Sequence, residues 1–343
     1  MLPLYDVHKT FEDNVAQGPF FEGTIPTRLG GLPSFSFFGF PLHSPIGVAA
    51  CPLTLSGGIA LLSSMGFDIF TYKTILAHPR TILPFPNLHV IDADPTSLTL
   101  ANSIGMGCGD PESVARDIAK AKRALSVGQI LMVSVYGEGE TLSETISLFC
   151  EAASLAKAAG ADIVEANLSC PNVKVSAFDC FDITHVSTLV SALVKKMRGT
   201  PVTVKLGVCP TAGVLKEILC SVARAGAQGI CGINSIKRPI LHPAGDPVFG
   251  AGREYAGVSG AAIRPFALAF VQEAYDLIQK EKLGLKLIAT GGVTQPEHFQ
   301  EFLDAGADIA LSATGVLWNP YLATEYHREK YEQTRNSSSA SRN

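Results

Sequence analysis

One short pattern recurs along this chain: Met65-Gly66-Phe67-Asp68, Ala159-Gly160-Ala161-Asp162, Ala225-Gly226-Ala227-Gln228 and Ala305-Gly306-Ala307-Asp308. Each copy sits between a helix-length amphipathic segment and a short apolar run. Glycine there suits the left-handed residue that ends a helix before the chain turns into a strand. Repetition of one helix-to-strand turn predicts serial repetition of one unit. Strands are expected over 44–49, 69–73, 130–135, 163–167, 202–205, 229–234, 285–289 and 309–312. Helices are expected over 55–64, 112–124, 142–158, 185–197, 212–223, 265–279, 296–303 and about 321–332. The strands are apolar nearly throughout, as strands covered on both faces are. Alternation of this kind builds a parallel sheet with right-handed crossovers, and eight units close it into a single α/β (β/α)8 barrel. A doubly wound open sheet is the alternative. The expected organisation is an N-terminal extension over 1–40, a barrel over 41–333 and a disordered Ser/Asn-rich tail over 334–343.

Hydrophobic residues make up 47% of the chain and charged residues 17%, enough for a large core and incompatible with a disordered chain. A net charge of -4 argues against a nucleic-acid or anionic-membrane surface. Positions 29–67 contain no Asp, Glu, Lys or Arg. A membrane span needs about 20 uninterrupted apolar residues. Here Pro33, Pro41, Pro45, Pro52 and several glycines break the run, so loop, buried strand and core helix are expected. No basic segment leads into an apolar run at the start, so a cytoplasmic chain without a secretion signal is expected. The eight cysteines include no CxxC pair, which favours free thiols in a reducing compartment and supports neither a zinc nor an iron–sulfur site.

Active sites of such barrels lie at the C-terminal ends of the strands. The fourth strand ends in Asn167-Leu168-Ser169-Cys170-Pro171-Asn172, crowding two amides, a hydroxyl and a thiol where the barrel opens. Most lone cysteines are small buried hydrophobes, and the other seven are read so. The neighbours of Cys170 are hydrogen-bonding groups instead, and a thiol with a modestly lowered pKa can take a proton from carbon. Lys73 closes the second strand, Lys205 the fifth and Asn234-Ser235 the sixth. Asn102-Ser103-Ile104-Gly105-Met106-Gly107 forms a glycine-interrupted loop after the second strand, whose backbone N–H groups can converge on a carboxylate. The last two strands end in Thr290-Gly291-Gly292 and Ser312-Ala313-Thr314-Gly315, where barrels often bind phosphate.

Together these segments resemble the dihydroorotate dehydrogenase family over about 45–318. Asn-Leu-Ser-Cys-Pro-Asn is the most specific signature. Lys73-Thr74, Asn102-Ser103-Ile104-Gly105, Asn234-Ser235, Gly257-Val258-Ser259-Gly260 with Ile263-Arg264-Pro265, and Thr290-Gly291-Gly292 support it. Cysteine at 170 resembles the soluble class; the membrane-associated, quinone-using class carries serine there. The resemblance implies FMN across the barrel mouth. Its phosphate would meet Gly260, Gly291, Gly292, Ala313 and Thr314, and Lys205 would lie at the flavin N1/O2 edge. Ala49, Ala50, Lys73, Thr74, Ser134 and Asn167 would complete the cradle. A pyrimidine ring would be held by Asn102, Asn167, Asn172, Asn234 and Ser235, whose polar groups suit its alternating donors and acceptors. Lys73 and the backbone of Ile104, Gly105 and Met106 would take the carboxylate. Cys170 would remove the C5 proton as hydride leaves C6 for the flavin.

The chain also departs from that family. Ile236-Lys237-Arg238-Pro239 replaces a Gly-Asn-Gly-like loop, Ala313-Thr314 replaces Gly-Thr or Gly-Ser, and the Pro-Arg expected near Pro86-Asn87 is missing. The run over 253–265 resembles the flavin domain of dihydropyrimidine dehydrogenase, whereas Asn172 stands where that enzyme has histidine. Four activities follow as alternatives: dihydroorotate oxidation, reduction of another pyrimidine, a Schiff-base lyase using Lys205 or Lys73, and a flavin-binding barrel without turnover. A homodimer or an electron-transfer subunit is an expected partner, the latter being required for any NAD-linked route.

Overall fold

The computed structural model describes residues 4–26, 32–169 and 178–340, with side chains described to 333. In chain order the elements are α1 (Phe11–Gln17), β1 (Phe35–Phe37), β2 (Phe40–Leu42), β3 (Ile46–Val48), α2 (Ser56–Ser64), β4 (Ile69–Ile75), β5 (Leu88–Asp92), β6 (Thr99–Asn102), α3 (Pro111–Arg123), β7 (Ile130–Val135) and α4 (Leu142–Ala158). There follow β8 (Ile163–Asn167), α5 (Ile183–Met197), β9 (Val202–Leu206), α6 (Ala212–Arg224), β10 (Gly229–Gly232), β11 (Ile236–Pro239), β12 (Tyr255–Gly260) and α7 (Arg264–Lys280). The chain ends with β13 (Lys286–Thr290), α8 (Pro296–Asp304), β14 (Ile309–Ser312), α9 (Thr314–Trp318) and α10 (Leu322–Ala340).

β3, β4, β7, β8, β9, β10, β13 and β14 form a closed parallel barrel in which chain neighbours are sheet neighbours and β14 pairs with β3. The open-sheet alternative is excluded. All eight expected strands and helices are present, with ends shifted by at most two residues except at α10, which runs about eight residues further than expected. The four recurring glycines have φ of 101°, 108°, 90° and 105° at Gly66, Gly160, Gly226 and Gly306, the left-handed geometry that their position demands. Helix starts are fixed locally. The Asp110 side chain accepts from Ser113 N ahead of Pro111, and Thr141 with Glu144 forms a reciprocal capping box. Such caps contribute about 1 kcal/mol each.

Inside the barrel, Ile69, Ile130, Met132, Ile163, Ile288 and Ile309 pack with Phe37 and Leu42, both fully buried, from the β1–β2 hairpin. The hairpin closes the end where the strands begin: a Cβ at Gly229, first in β10, would lie 3.2 Å from the Phe38 ring. A boundary at 40/41 therefore cuts a hairpin that belongs to the barrel core. Its short strands and charge-free sequence hid it within the apolar run. That run as a whole is loop, strand and core helix, as expected.

The loops after β4 and β10 carry two hairpins, β5–β6 and β11–β12, that merge into an antiparallel sheet of order β11-β12-β6-β5. Gly257 pairs with Asn102 across the join. Both loops leave C-terminal strand ends, so this sheet stands over the barrel mouth. Asn102 ends a strand of it and Ile236–Pro239 is its edge strand, where the sequence suggested loops. α10 continues over 334–340, which composition assigns to a disordered tail. Helix extension costs far less than initiation, and α10 is nucleated by buried Leu322, Ala323 and Tyr326. Among the described residues no helix is long and apolar enough to cross a membrane.

Candidate active site

Strand alternation places Ser134, Asn167, Lys205 and Thr290 on the inward face near the mouth, and a register shift between Tyr72 and Ile75 brings both Lys73 and Thr74 to the cavity. One cavity there is lined by nearly every described residue singled out in the sequence. Ala49, Ala50, Lys73 and Thr74 come from the first two barrel strands and their ends, and Asn102, Ile104, Gly105 and Met106 from β6 and the loop after it. Asn167, Lys205, Asn234 and Ser235 come from the middle of the barrel; Gly260, Gly291, Gly292, Ala313 and Thr314 line its far side. Segments as distant as positions 49 and 314 meet there because a closed barrel brings all its C-terminal strand ends to one rim. Ser134 is the exception. It is fully buried behind Thr74, whose Oγ1 donates to Ser134 Oγ at 3.0 Å, and it does not line the cavity. Cys170 and Asn172 lie outside the described residues.

Hydrogen bonds fix the amides. Asn167 Nδ2 donates to Thr74 Oγ1 at 3.2 Å, while its Oδ1 accepts from Ser169 N at 3.2 Å. Asn234 Nδ2 donates to Ser169 O at 2.7 Å, so the sixth strand end holds the start of the segment that carries Cys170. Asn234 Oδ1 accepts from Ser235 N at 2.8 Å. Asn102 Nδ2 donates to Gly257 O at 3.0 Å across the mouth sheet. Lys73 donates to Gly107 O at 2.6 Å, which ties the second strand end to the loop after β6. Its ammonium also lies 5.3 Å from the centre of the Phe11 ring, so the N-terminal extension reaches the site.

The opposite side is glycine-lined for a steric reason. A Cβ at Gly292 (φ 91°) would sit 2.4 Å from Arg264 Cβ and 2.8 Å from Arg264 N. One at Gly260 (φ 94°) would sit 2.2 Å from Leu98 O. Packing and positive φ therefore require glycine at both positions, and the backbone of these turns lines the cavity. His298 braces this turn. Its Nδ1 accepts from Thr294 N and Gln295 N, each at 3.2 Å, and the ring hydrogen-bonds the Gly292 backbone. Burial first, then the Arg264 guanidinium, holds its pKa below the usual imidazole value. Bare glycine backbone, a buried lysine and amides lining one cavity could hold an anionic cofactor.

Three groups in or against the site were not visible in the sequence. Cys51, read as a buried hydrophobe, lines the cavity. Burial pushes its thiol up to about 11 against opposing backbone N–H groups of Leu53 and Thr54, so it stays protonated at neutral pH. Arg253 Nη1 donates to Pro86 O and Ser103 O, both at 3.3 Å, and its guanidinium lies 5.7 Å from the Phe249 ring centre. An arginine thus braces the Pro86 loop although none stands beside Pro86 in the sequence. His298 is the third; its position on α8 carries no motif.

Comparison with known proteins matches residues 34–330 to the family model described as dihydroorotate dehydrogenase. A dihydroorotate dehydrogenase of Dictyostelium discoideum is 36% identical over 357 aligned positions, covering 95% of this chain and 96% of that protein. The catalytic subunit of dihydroorotate dehydrogenase B (NAD(+)) from Desulforudis audaxviator is 27% identical, covering 82% and 86%. The NAD-dependent dihydropyrimidine dehydrogenase subunit PreA of Escherichia coli is 29% identical over 57% of this chain and 47% of its own length.

Proposed function

The chain belongs to the dihydroorotate dehydrogenase family, and from that premise we propose that it oxidises dihydroorotate to orotate, a pyrimidine-supplying step, with FMN bound at the barrel mouth. The observation that carries this reading is the single cavity in which Lys205, three asparagine amides and the glycine turns meet. The reaction takes a proton from C5 and a hydride from C6 and leaves a C5–C6 double bond. Bound flavin supplies the two-electron acceptor for that hydride.

The chain supplies the rest. Asn102, Asn167, Asn234 and Asn172 hold the ring edges, so that the reacting carbon stays in one orientation. The Ile104, Gly105 and Met106 backbone and Lys73 receive the carboxylate. Lys205 offers positive charge where negative charge gathers on reduction. Cys170 takes the C5 proton at Sγ; its place immediately after Ser169, whose carbonyl Asn234 holds, supports this role. Mouth-sheet residues Leu100 and Val258 are nearly buried and help exclude water.

The likeness to the PreA subunit favours a second reading, reduction of another pyrimidine. One experiment separates both from the alternatives. The purified protein is expected to be yellow, to release FMN, and to bleach on anaerobic addition of dihydroorotate. Bleaching only by dihydrouracil would move the assignment to the second reading. FAD, or no flavin after incubation with excess FMN, would remove both.

A further inference from the structure

One layer below the cavity floor, the barrel interior holds a carboxyl group that the proposed chemistry does not use. Glu165, in the middle of β8, is 1% exposed. No N–H or O–H group among the described residues donates to either of its carboxyl oxygens, which meet only the weakly donating Cys231 thiol, and the buried hydroxyls of Thr71 and Thr203 are likewise without partners. The other two carboxylates buried among the described residues are both satisfied: Asp68 accepts from Ser44 Oγ, and Asp6 from His8 N. A buried carboxylate without strong hydrogen bonds is costly unless an opposite charge lies near.

The strand register supplies that charge. Glu165 stands opposite Thr203, and Asn167 stands opposite Lys205. Glu165 and Lys205 are therefore diagonal neighbours on the same inward face of adjacent strands. Lys205 is the one Lys or Arg that is buried among the described residues. Cys231 is paired with Lys205 on β10 and feels both groups. Burial first and the Glu165 carboxylate second push its thiol well above its usual range, while Lys205 pulls it down.

We propose that Glu165 is the buried counter-charge of Lys205 and, through it, a positioning residue that sets the redox poise of the flavin above. The second half rests on the reading that a flavin lies against Lys205. A negative charge one layer beneath the ring weakens the field that Lys205 presents to the cavity and disfavours further negative charge there. Glu165 thus holds the lysine in place and restrains its effect.

The test compares the parent with Glu165→Gln, Lys205→Met and the double variant, each purified as the whole chain. Two measurements are made: the flavin midpoint potential by dye equilibration, and thermal unfolding without added flavin. Glu165→Gln preserves side-chain volume and removes only the charge. It is expected to shift the flavin equilibrium about tenfold toward the reduced form, or ~30 mV for a two-electron couple. Lys205→Met is expected to shift it the other way. It should also lower the melting temperature more in the parent than in the Glu165→Gln background, because only in the parent does it strand a buried charge. If Lys205→Met alone fails to fold, the double variant is expected to rescue it.

Additive melting shifts, or no rescue, would overturn the counter-charge. Coupled melting with an equilibrium moved less than about twofold by Glu165→Gln would overturn the redox role. A protein that takes up no flavin would defeat the proposed function and the redox role together. The melting cycle would still decide the charge pairing, so the two failures are distinguishable.

Discussion

Gly257→Ala should separate substrate handling from flavin binding. Gly257 lies in the mouth sheet opposite Asn102. A Cβ there would sit 2.4 Å from Ser235 Oγ, 3.1 Å from Ser235 Cβ and 3.2 Å from Asn102 Nδ2. All three atoms are side-chain atoms of the substrate end, and none belongs to the glycine-lined phosphate side. Ser235 must turn away, costing about 0.5–1.5 kcal/mol if it leaves its rotamer. The 3.0 Å bond from Asn102 to Gly257 O is strained or lost, for a further ~0.5–1.5 kcal/mol. The sum, about 1–3 kcal/mol, corresponds to roughly a 5- to 150-fold fall in kcat/KM for dihydroorotate. Flavin content should stay at the parent level. Steady-state kinetics with an artificial acceptor measures the first, and absorbance after gel filtration the second. Adding Ser235→Ala should recover part of the loss, because the closest atom is then gone. Parent-like kcat/KM in Gly257→Ala would refute the packing argument. Equal loss of flavin would show that the two ends of the cavity are not separable.

Two further outcomes are expected. Cys170→Ala should retain flavin yet lower dihydroorotate-driven bleaching by about 10²–10⁴-fold, and Cys170→Ser should keep a little activity with a higher pH optimum; an alanine variant within threefold of the parent would remove Cys170 as the base. His298, held below its usual pKa by burial, binds fewer protons folded than unfolded, so its contribution to stability is fully present above about pH 6.5 and is lost as the pH falls toward its folded value. Protonation also ends the acceptance by Nδ1 of the Thr294 and Gln295 N–H bonds. Melting temperature and FMN retention should therefore both drop on acidification below that point, and identical pH profiles in His298→Gln would assign the drop to another group.

The sequence by itself determined the repeating unit and the chemistry at its ends. A strand buried on both faces must be apolar, a helix on its surface must be amphipathic, and the chain between them needs a left-handed residue. All three requirements act within a few neighbours, so they are written into local pattern; Gly66, Gly160, Gly226 and Gly306 all adopt the expected positive φ. The polar interruptions where those strands stop marked Lys73, Asn167, Lys205 and Asn234, and they line one cavity. Tertiary structure decided what depends on distant segments meeting. The mouth sheet joins Asn102 to Gly257, and Arg253 reaches the Pro86 and Ser103 carbonyls. The β1–β2 hairpin enters the barrel floor. None of these contacts has a sequence period. β6 and β11 are strands of four residues each and cannot show an alternation that stands out. β6 pairs with β12 because closing the barrel carries the loops after its second and sixth strands to the same rim, where unpaired backbone groups need partners. Glu165 illustrates the division: its residue type is plain in the sequence, but its burial beside the barrel's one buried lysine follows only from strand register.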